Sequence, residues 1–344
     1  MASTVSISSK RFDFDEQVEK LIRDIWNFIY SYTDSAPMSY DPKIVLAVLR
    51  RAIELFEDEP TVLDLNGTVC VFGDLQGQAD TLISLLSTFD LPPKNTFLFL
   101  GNYCGQGFSP HECLIFLLAL KVRYPRHVYL LKGNTEDSEV LKANDFIEGL
   151  ILRNLMSTSM IWLHFEKVLG LIPWAAVLSG NYFCVHGGIG PVLLKYGLSE
   201  LRNCNKPASY PIELAIEQEC VWSCYRGIKT RAFDYGPKKQ PSFSDGSPLF
   251  GDNDIERFLK NNDLQMIIRS RQVVLDGVLN MPTGMLTVCS AAGFLDNFRN
   301  KGGVIIIDGE KQTAVINKIV IHEDEPKSLD DIKPSVGRNA IIIA

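Results

Sequence analysis

The feature that most constrains the fold is a repeated order of apolar strand, glycine-bearing loop and helix, which begins at residue 68. The apolar runs Thr68–Phe72, Phe97–Leu100 and Val128–Leu131 each end in glycine and polar residues. Short apolar runs bounded by turn residues are typical of buried strands, and their alternation with helices predicts neighbouring parallel strands. The carboxyl ends of such strands meet at one sheet edge, where α/β proteins bind their ligands. The loops that follow are therefore expected to converge.

The loop after the second of these strands lacks the side chains that catalysis usually needs. The stretch Thr96–Gly107, TFLFLGNYCGQG, contains no carboxylate, histidine or arginine. The sequence thus predicts a loop placed like an active-site loop but without an acid, a base or a phosphate-binding group of its own.

Helical patterns precede this region and shorter strands follow it. Apolar residues from Val18 to Ile29 recur at helical spacing, and Asp41-Pro42 supplies an N-cap and a first-turn proline for a helix that ends near Phe56. Later strands are predicted at 175–178, 182–185, 265–268, 286–289, 303–307 and 314–321. Their spacing predicts a second, more antiparallel sheet packed on the first.

Composition excludes several classes of protein. The chain has 344 residues, of which 46% are hydrophobic, and this indicates a folded protein with a large core. A net charge of -7 argues against broad binding to nucleic acid or to a membrane surface. The eight cysteines form no CxxC pair, which favours free thiols in a reducing compartment. With no recognisable signal peptide or membrane span, a cytoplasmic or nuclear location is expected.

The chain is expected to form a single domain over residues 13–321. A flexible N-terminus, residues 1–12, precedes it, and a C-terminal tail, residues 322–344, follows it. Within the domain, residues 226–248 combine lysine and arginine with proline, serine and glycine, which predicts a surface loop.

Six motifs occur in order along the chain: GDLQGQ, FLGNYCGQG, KGNTED, CVHGGIGP, IIRSRQVVLDG and SAAGFLDNF. In order and spacing they resemble the phosphoprotein-phosphatase family of serine/threonine phosphatases, with the type-1 phosphatases as the most similar group. The resemblance implies an α/β fold of the calcineurin-like metallophosphoesterase type, a central β-sandwich of two mixed sheets flanked by helices. It also implies a catalytic site for two divalent metals.

Three metal-ligand positions keep the residue that the resembled family has. Asp74 matches a ligand of the first metal, and Asn134 and His186 match ligands of the second. Turn capping alone also accounts for Asp74 and Asn134, and His186 is expected to be a hydrogen-bonded remnant. No cofactor is expected beyond a weakly bound divalent metal such as Mn, Fe or Zn.

The other catalytic positions differ from the family pattern. At metal-ligand positions, Gln76 and Arg271 stand for histidines and Asn102 for the bridging aspartate. Gly105 stands where the family has the aspartate that orients the general acid, and Thr135 stands where it has that acid, a histidine. Gln106 replaces a phosphate-binding arginine, and Phe294 replaces a tyrosine beside the substrate. A guanidinium beside one motif carboxylate opposes the binding of two dications. Arg271 is therefore expected to point into the metal site and to form a structural charge cluster with Asp74.

These losses predict a catalytically inactive phosphatase-like protein, not an enzyme, that acts as a protein-binding scaffold or regulatory subunit. Its expected partners are proteins, including regulators shared with active phosphatases of the family, and neither nucleic acid nor a membrane. Two alternatives stay open. One is a weak metal-dependent serine/threonine phosphatase with a single metal on Asp74, Asn134 and His186. The other is a phosphopeptide-binding module that uses Arg271 and the basic loop without hydrolysis.

A docking groove is also implied by the resemblance. Type-1 phosphatases accept short valine-x-phenylalanine peptides in a hydrophobic groove formed by their later strands. The corresponding positions here are Tyr182, Met266, Asn280 and Leu286. Because the polar Asn280 stands where an aromatic residue is expected, ordinary docking peptides are expected to bind poorly.

Overall fold

The computed structural model describes residues 13–31, 37–155, 160–228, 247–294, 299–311, 313–319 and 339–342. The predicted flexible N-terminus lies outside the described residues, as do most of the predicted 226–248 loop and of the C-terminal tail. The division of the chain into one domain with two flanking segments therefore stays a prediction.

The described residues contain every strand that the sequence patterns predict, together with elements that the patterns did not reveal, such as the helices at 191–203, 211–222 and 252–261. The helices are α1 (Phe14–Tyr30), α2 (Pro42–Asp58), α3 (Ala79–Leu86), α4 (Pro110–Arg123), α5 (Ser138–Ala143), α6 (Phe146–Leu152), α7 (Met160–Leu171), α8 (Pro191–Asn203), α9 (Pro211–Trp222) and α10 (Asp252–Asn261). The strands are β1 (Val62–Leu65), β2 (Thr68–Phe72), β3 (Thr96–Phe99), β4 (Val128–Leu130), β5 (Ala175–Leu178), β6 (Tyr182–Val185), β7 (Cys224–Tyr225), β8 (Leu249–Phe250), β9 (Met266–Arg269), β10 (Val278–Met281), β11 (Met285–Val288), β12 (Gly302–Asp308), β13 (Thr313–Ile319) and β14 (Asn339–Ile342). None of the described helices is both long and apolar enough to cross a bilayer.

Two six-stranded mixed sheets pack face to face. One has the strand order β1-β5-β6-β9-β11-β10 and the other β14-β13-β12-β2-β3-β4. Strands β2, β3 and β4 are parallel, as predicted. The predicted place of the last strands is wrong, because β12 pairs antiparallel with β2 and brings β13 into the same sheet. Local periodicity identifies these strands but not the partner to which they hydrogen-bond.

Apolar side chains form a layer between the sheets and one layer on each outer face. In β3, Phe97 and Phe99 face the layer that includes α1 to α4, whereas Leu98 faces the other sheet. This alternation follows from the two-residue period of a strand. Helices α8 to α10 cover the opposite sheet. The β-sandwich flanked by helices is therefore confirmed.

Three of the four positions predicted to line a docking groove are buried between the sheets. Tyr182, Met266 and Leu286 belong to this inner layer, and Asn280 alone among the four is exposed. Side chains alternate between the two faces of a strand, and these three lie on the face that packs against the other sheet. The groove prediction is corrected accordingly, since these residues form core in this structure.

His111 of α4 is a buried histidine outside the candidate site. Its ring stacks on Phe146 with 4.2 Å between ring centroids, and its Nε2 atom lies 2.8 Å from the Phe146 carbonyl oxygen. Burial and the nearby Arg153 guanidinium lower the pKa of His111 from 6.5 to about 4. The folded protein therefore keeps His111 neutral at a pH where the unfolded chain protonates it.

We expect His111 to make folding stability fall as pH drops from about 6.5 to 4, because the unfolded state then binds a proton that the folded state does not. At about 1.4 kcal/mol per pKa unit, the full effect is up to about 3 kcal/mol. Denaturant unfolding of wild type and His111→Gln across this pH range measures it. The stability advantage of wild type should shrink toward low pH, and parallel pH profiles would contradict the assignment.

Candidate active site

Five loops that follow parallel strands bring polar residues together at one edge of the sandwich. Asp74 follows β2, Asn102 follows β3 and Asn134 follows β4. From the other sheet, His186 follows β6 and Arg271 follows β9. All five residues are buried, and hydrogen bonds connect them. The convergence predicted from the sequence is therefore confirmed.

The Asp74 carboxylate is held by nitrogen donors of the chain itself. Its Oδ2 atom accepts hydrogen bonds from Gln76 Nε2 at 2.8 Å and from Asn102 Nδ2 at 2.9 Å. Its Oδ1 atom accepts one from the backbone N–H of Arg271 at 2.9 Å. Burial raises the pKa of Asp74, and these donors oppose that rise. Two amide groups thus donate to the carboxylate that matches a first-metal ligand.

Two asparagines link the carboxylate to the histidine. The backbone N–H of Thr135 donates to Asn102 Oδ1 at 3.0 Å, which fixes how the Asn102 amide is turned. Its Nδ2 atom therefore points at Asn134 Oδ1, 3.0 Å away. The same Asn134 Oδ1 lies 3.1 Å from His186 Nε2, and His186 Nδ1 lies 3.0 Å from the Leu100 carbonyl oxygen.

His186 faces two oxygen acceptors with only one proton to donate. Burial and the Arg271 and Arg269 guanidinium groups hold the pKa of His186 well below its usual range, so the ring is neutral and carries one N–H. One ring nitrogen therefore presents a lone pair to an oxygen lone pair. Turning the Asn134 amide does not help, because its Nδ2 would then meet the Asn102 Nδ2. A cation resolves this conflict, so Asn134 and His186 fit one divalent metal.

A pair of metals does not fit these residues. Asp74 is the only carboxylate among the six positions that match metal ligands, and its Oδ2 atom already accepts two amide N–H groups. Within the described ranges, no group of three His, Cys, Asp or Glu side chains is arranged to hold a metal ion. The donor set therefore supports one cation rather than the two-metal arrangement.

The three replaced ligand positions share an unusual backbone. Gln76, Asn102 and Arg271 have φ values of 57°, 57° and 62°, in the left-handed region. Asparagine tolerates this region, but glutamine and arginine rarely adopt it, and such residues cost about 1–3 kcal/mol each. Strained backbone of this kind clusters at functional sites. Sequence reasoning had no means of finding it, because motif comparison reports side chains and not dihedral angles.

The predicted ion pair between Arg271 and Asp74 is not formed. The Arg271 Nε atom donates to the Trp222 carbonyl oxygen at 2.9 Å, and the guanidinium carbon lies 4.9 Å from the centroid of the Trp222 ring. Only the backbone N–H of Arg271 reaches Asp74. The physical reason is that Asp74 already has three nitrogen donors, whereas Trp222 offers a carbonyl oxygen and an aromatic face.

Glu136 organises the loops, a role that the sequence did not reveal. It is fully buried in the 3-10 turn Asn134–Glu136. Its two carboxylate oxygens accept backbone N–H groups of Asn102, Tyr103, Cys104 and Gly133, at 2.7, 2.9, 3.4 and 3.1 Å respectively. The Thr135 hydroxyl also donates to it, at 2.8 Å. Glu136 thus joins the loop after β3 to the loop after β4.

The remaining predicted positions lie around this network. A Cβ atom at Gly105 would lie 2.3 Å from Gln76 Oε1 and 2.9 Å from the Gln76 backbone, so this position leaves no room for a side chain. Gln106 is exposed and Phe294 is buried. Of the seven replaced positions, Gln76, Asn102, Gly105, Thr135 and Arg271 contact this network.

Comparisons with known proteins agree on the family. A family model described as calcineurin-like phosphoesterase matches residues 67–270. The chain is 30% identical over 258 residues to the serine/threonine-protein phosphatase 4 catalytic subunit of Eremothecium gossypii, covering 75% of this chain and 79% of the relative. It is 28% identical over 271 residues to the protein of the same name from Kluyveromyces lactis, covering 78% and 84%.

Among solved structures, a protein serine/threonine phosphatase from Saccharomyces cerevisiae with similarity to human phosphatase PP5 matches with a TM-score of 0.71. The identity is 26%, over 86% of this chain and 93% of that chain. These relatives are named as phosphatases and phosphatase catalytic subunits, which contradicts the expectation of an inactive scaffold that is not an enzyme. That expectation was based only on the replaced catalytic side chains and did not consider that the fold of these relatives is retained. The chain belongs to the calcineurin-like phosphoesterase family and, within it, to the phosphoprotein phosphatases.

Proposed function

We propose that this chain is a slow, metal-dependent protein serine/threonine phosphatase that uses one divalent cation. The observation that carries the proposal is the close approach of His186 Nε2 and Asn134 Oδ1, 3.1 Å apart in a buried site. The names of the relatives support the reaction class, since each is a serine/threonine phosphatase or a catalytic subunit of one.

The chain's own residues would position the cation. With its proton on Nδ1, His186 would donate a hydrogen bond to the Leu100 carbonyl oxygen, and Nε2 would be free as a ligand. The hydrogen bond from Asn102 Nδ2 keeps Asn134 Oδ1 beside His186 Nε2. The Asp74 carboxylate supplies the nearby negative charge. A divalent cation held there supplies positive charge that polarises a phosphoryl oxygen.

The replaced side chains explain why the reaction is expected to be slow. The Thr135 hydroxyl donates to Glu136 and is too weak an acid to protonate a leaving oxygen. A positioned general acid typically contributes about 10²–10⁴-fold to a rate. The turnover number should therefore lie about that far below the turnover number of a phosphatase with a histidine acid at this position.

Hydrolysis of a phosphoserine peptide by the full chain tests the proposal. We expect saturable phosphate release that requires Mn²⁺ and that falls at least about 10-fold in His186→Ala, which loses a ligand. The matched control is His164→Ala, because His164 lies on α7 with Nδ1 2.7 Å from the Met160 carbonyl oxygen. Release that is equal in both variants, or that is unaffected by removal of the metal, would contradict the proposal.

Finer assignments belong to the same proposal. A protein partner is supported by the word subunit in the names of two relatives. A cytoplasmic or nuclear location is supported by eight cysteines that are all buried and free. Greater similarity to type-1 phosphatases than to other types stays a prediction from the motifs.

A further inference from the structure

We propose that the Arg271 guanidinium binds the phosphate group of the substrate in this site. The inference rests on the proposed phosphatase function and deepens it by naming the group that recognises phosphate. It follows from the positions of the positive charges, from the hydrogen bonds that each already makes, and from the geometry that holds Arg271.

A phosphate dianion requires cationic or N–H donors, and few are available among the described residues at this edge. The Gln106 side chain is exposed but uncharged. Arg269 is fully buried, and each of its three side-chain nitrogens already donates: Nε to the Gly187 carbonyl, Nη1 to Gln272 Oε1 and Nη2 to the Ser223 carbonyl. Arg269 therefore links loops and offers little to a ligand.

Arg271 differs because part of its guanidinium has no partner. Arg271 is only 3% exposed, and its buried Nη1 atom makes no hydrogen bond. Leaving a buried donor without an acceptor is unfavourable, and more so when the donor is charged. Phosphate offers both the acceptor oxygens and the negative charge that such a donor lacks.

The geometry holds Arg271 ready for a ligand. Its backbone N–H is bonded to Asp74, so the residue is anchored at the centre of the site. The bond from Nε to the Trp222 carbonyl and the stacking on the Trp222 ring fix the guanidinium plane. A group fixed in this way loses little conformational entropy on binding.

Binding of inorganic phosphate to the Mn²⁺-loaded full chain tests the inference without requiring turnover. Calorimetry should show the phosphate dissociation constant raised about 10- to 100-fold in Arg271→Met, as expected for a lost hydrogen bond to a charged group. Arg271→Lys, which keeps the charge but not the planar fork, should give a smaller rise. Thermal melting of each variant confirms that it folds.

Arg202→Met is the matched control, because Arg202 is partly exposed and pairs with Asp64 at 2.7 Å on the surface. It should bind phosphate like wild type.

In the hydrolysis assay, Arg271→Met should raise KM more than it lowers kcat. Wild-type affinity in Arg271→Met, or no phosphate binding by wild type, would overturn the inference even if hydrolysis is observed. Arg271-dependent binding without hydrolysis would instead count against the proposed function.

Discussion

Replacing Asn102 by aspartate is expected to destabilise the metal-free protein by about 3–5 kcal/mol, the usual cost of an unpaired buried charge. Asn102 Nδ2 lies 2.9 Å from Asp74 Oδ2 and 3.0 Å from Asn134 Oδ1. In Asn102→Asp an oxygen would face both of these oxygens, in a site with no solvent exposure. The two carboxylates would repel each other, because neither has a cation to neutralise it.

Divalent metal is expected to reverse this loss, because a ligand that binds only the folded state stabilises it. Denaturant unfolding of wild type and Asn102→Asp, in EDTA and in MnCl₂, measures both effects. Asn66→Asp makes the same change of charge at an exposed turn position, which suits aspartate as well as asparagine, and should alter stability little. Equal stability of Asn102→Asp and wild type in EDTA would show that the amide of Asn102 does not hold the site together.

Replacing Glu136 by alanine is expected to cost more than about 3 kcal/mol of stability and to abolish activity. Four backbone N–H groups and the Thr135 hydroxyl donate to this carboxylate. Each buried donor left without an acceptor costs about 1–3 kcal/mol. The loops that carry Asn102 and Asn134 would also lose their common anchor, so the metal-binding atoms would no longer be held in place.

Urea unfolding of Glu136→Ala, together with its Mn²⁺-dependent activity, measures this effect. Glu139→Ala is the control, because Glu139 is exposed and its ion pair with Lys142 at 2.9 Å lies at the surface. Such pairs contribute about 0–1 kcal/mol. If both variants lost similarly little stability, the organising role of Glu136 would be refuted.

Local patterns were sufficient to predict much of the fold. The strand–loop–helix order predicted the parallel strands β2, β3 and β4 and the convergence of their loops, and both are observed. The same patterns could not place β12 and β13. A strand's hydrogen-bonding partner depends on the whole packed sheet, and β12 pairs with β2 from the far end of the chain.

The candidate site was predictable in its residues but not in their interactions. Motif order located Asp74, Asn102 and Arg271 at one edge of the sheet. It could not show that Trp222, which lies in none of the motifs, attracts the Arg271 guanidinium away from Asp74. Nor could it show that both ring nitrogens of the neutral His186 face oxygen atoms, because that depends on how the Asn134 amide is oriented.

The central claim is that one cation, bound by Asn134 and His186, supports slow phosphatase activity. Its most direct test is a Mn²⁺ titration of the metal-free full chain during hydrolysis of a phosphoserine peptide, with bound metal counted in the same samples. Phosphate release should rise with bound Mn²⁺ and level off at about one equivalent per chain. Release that begins only with a second equivalent, or no release at any Mn²⁺ concentration, would contradict the claim.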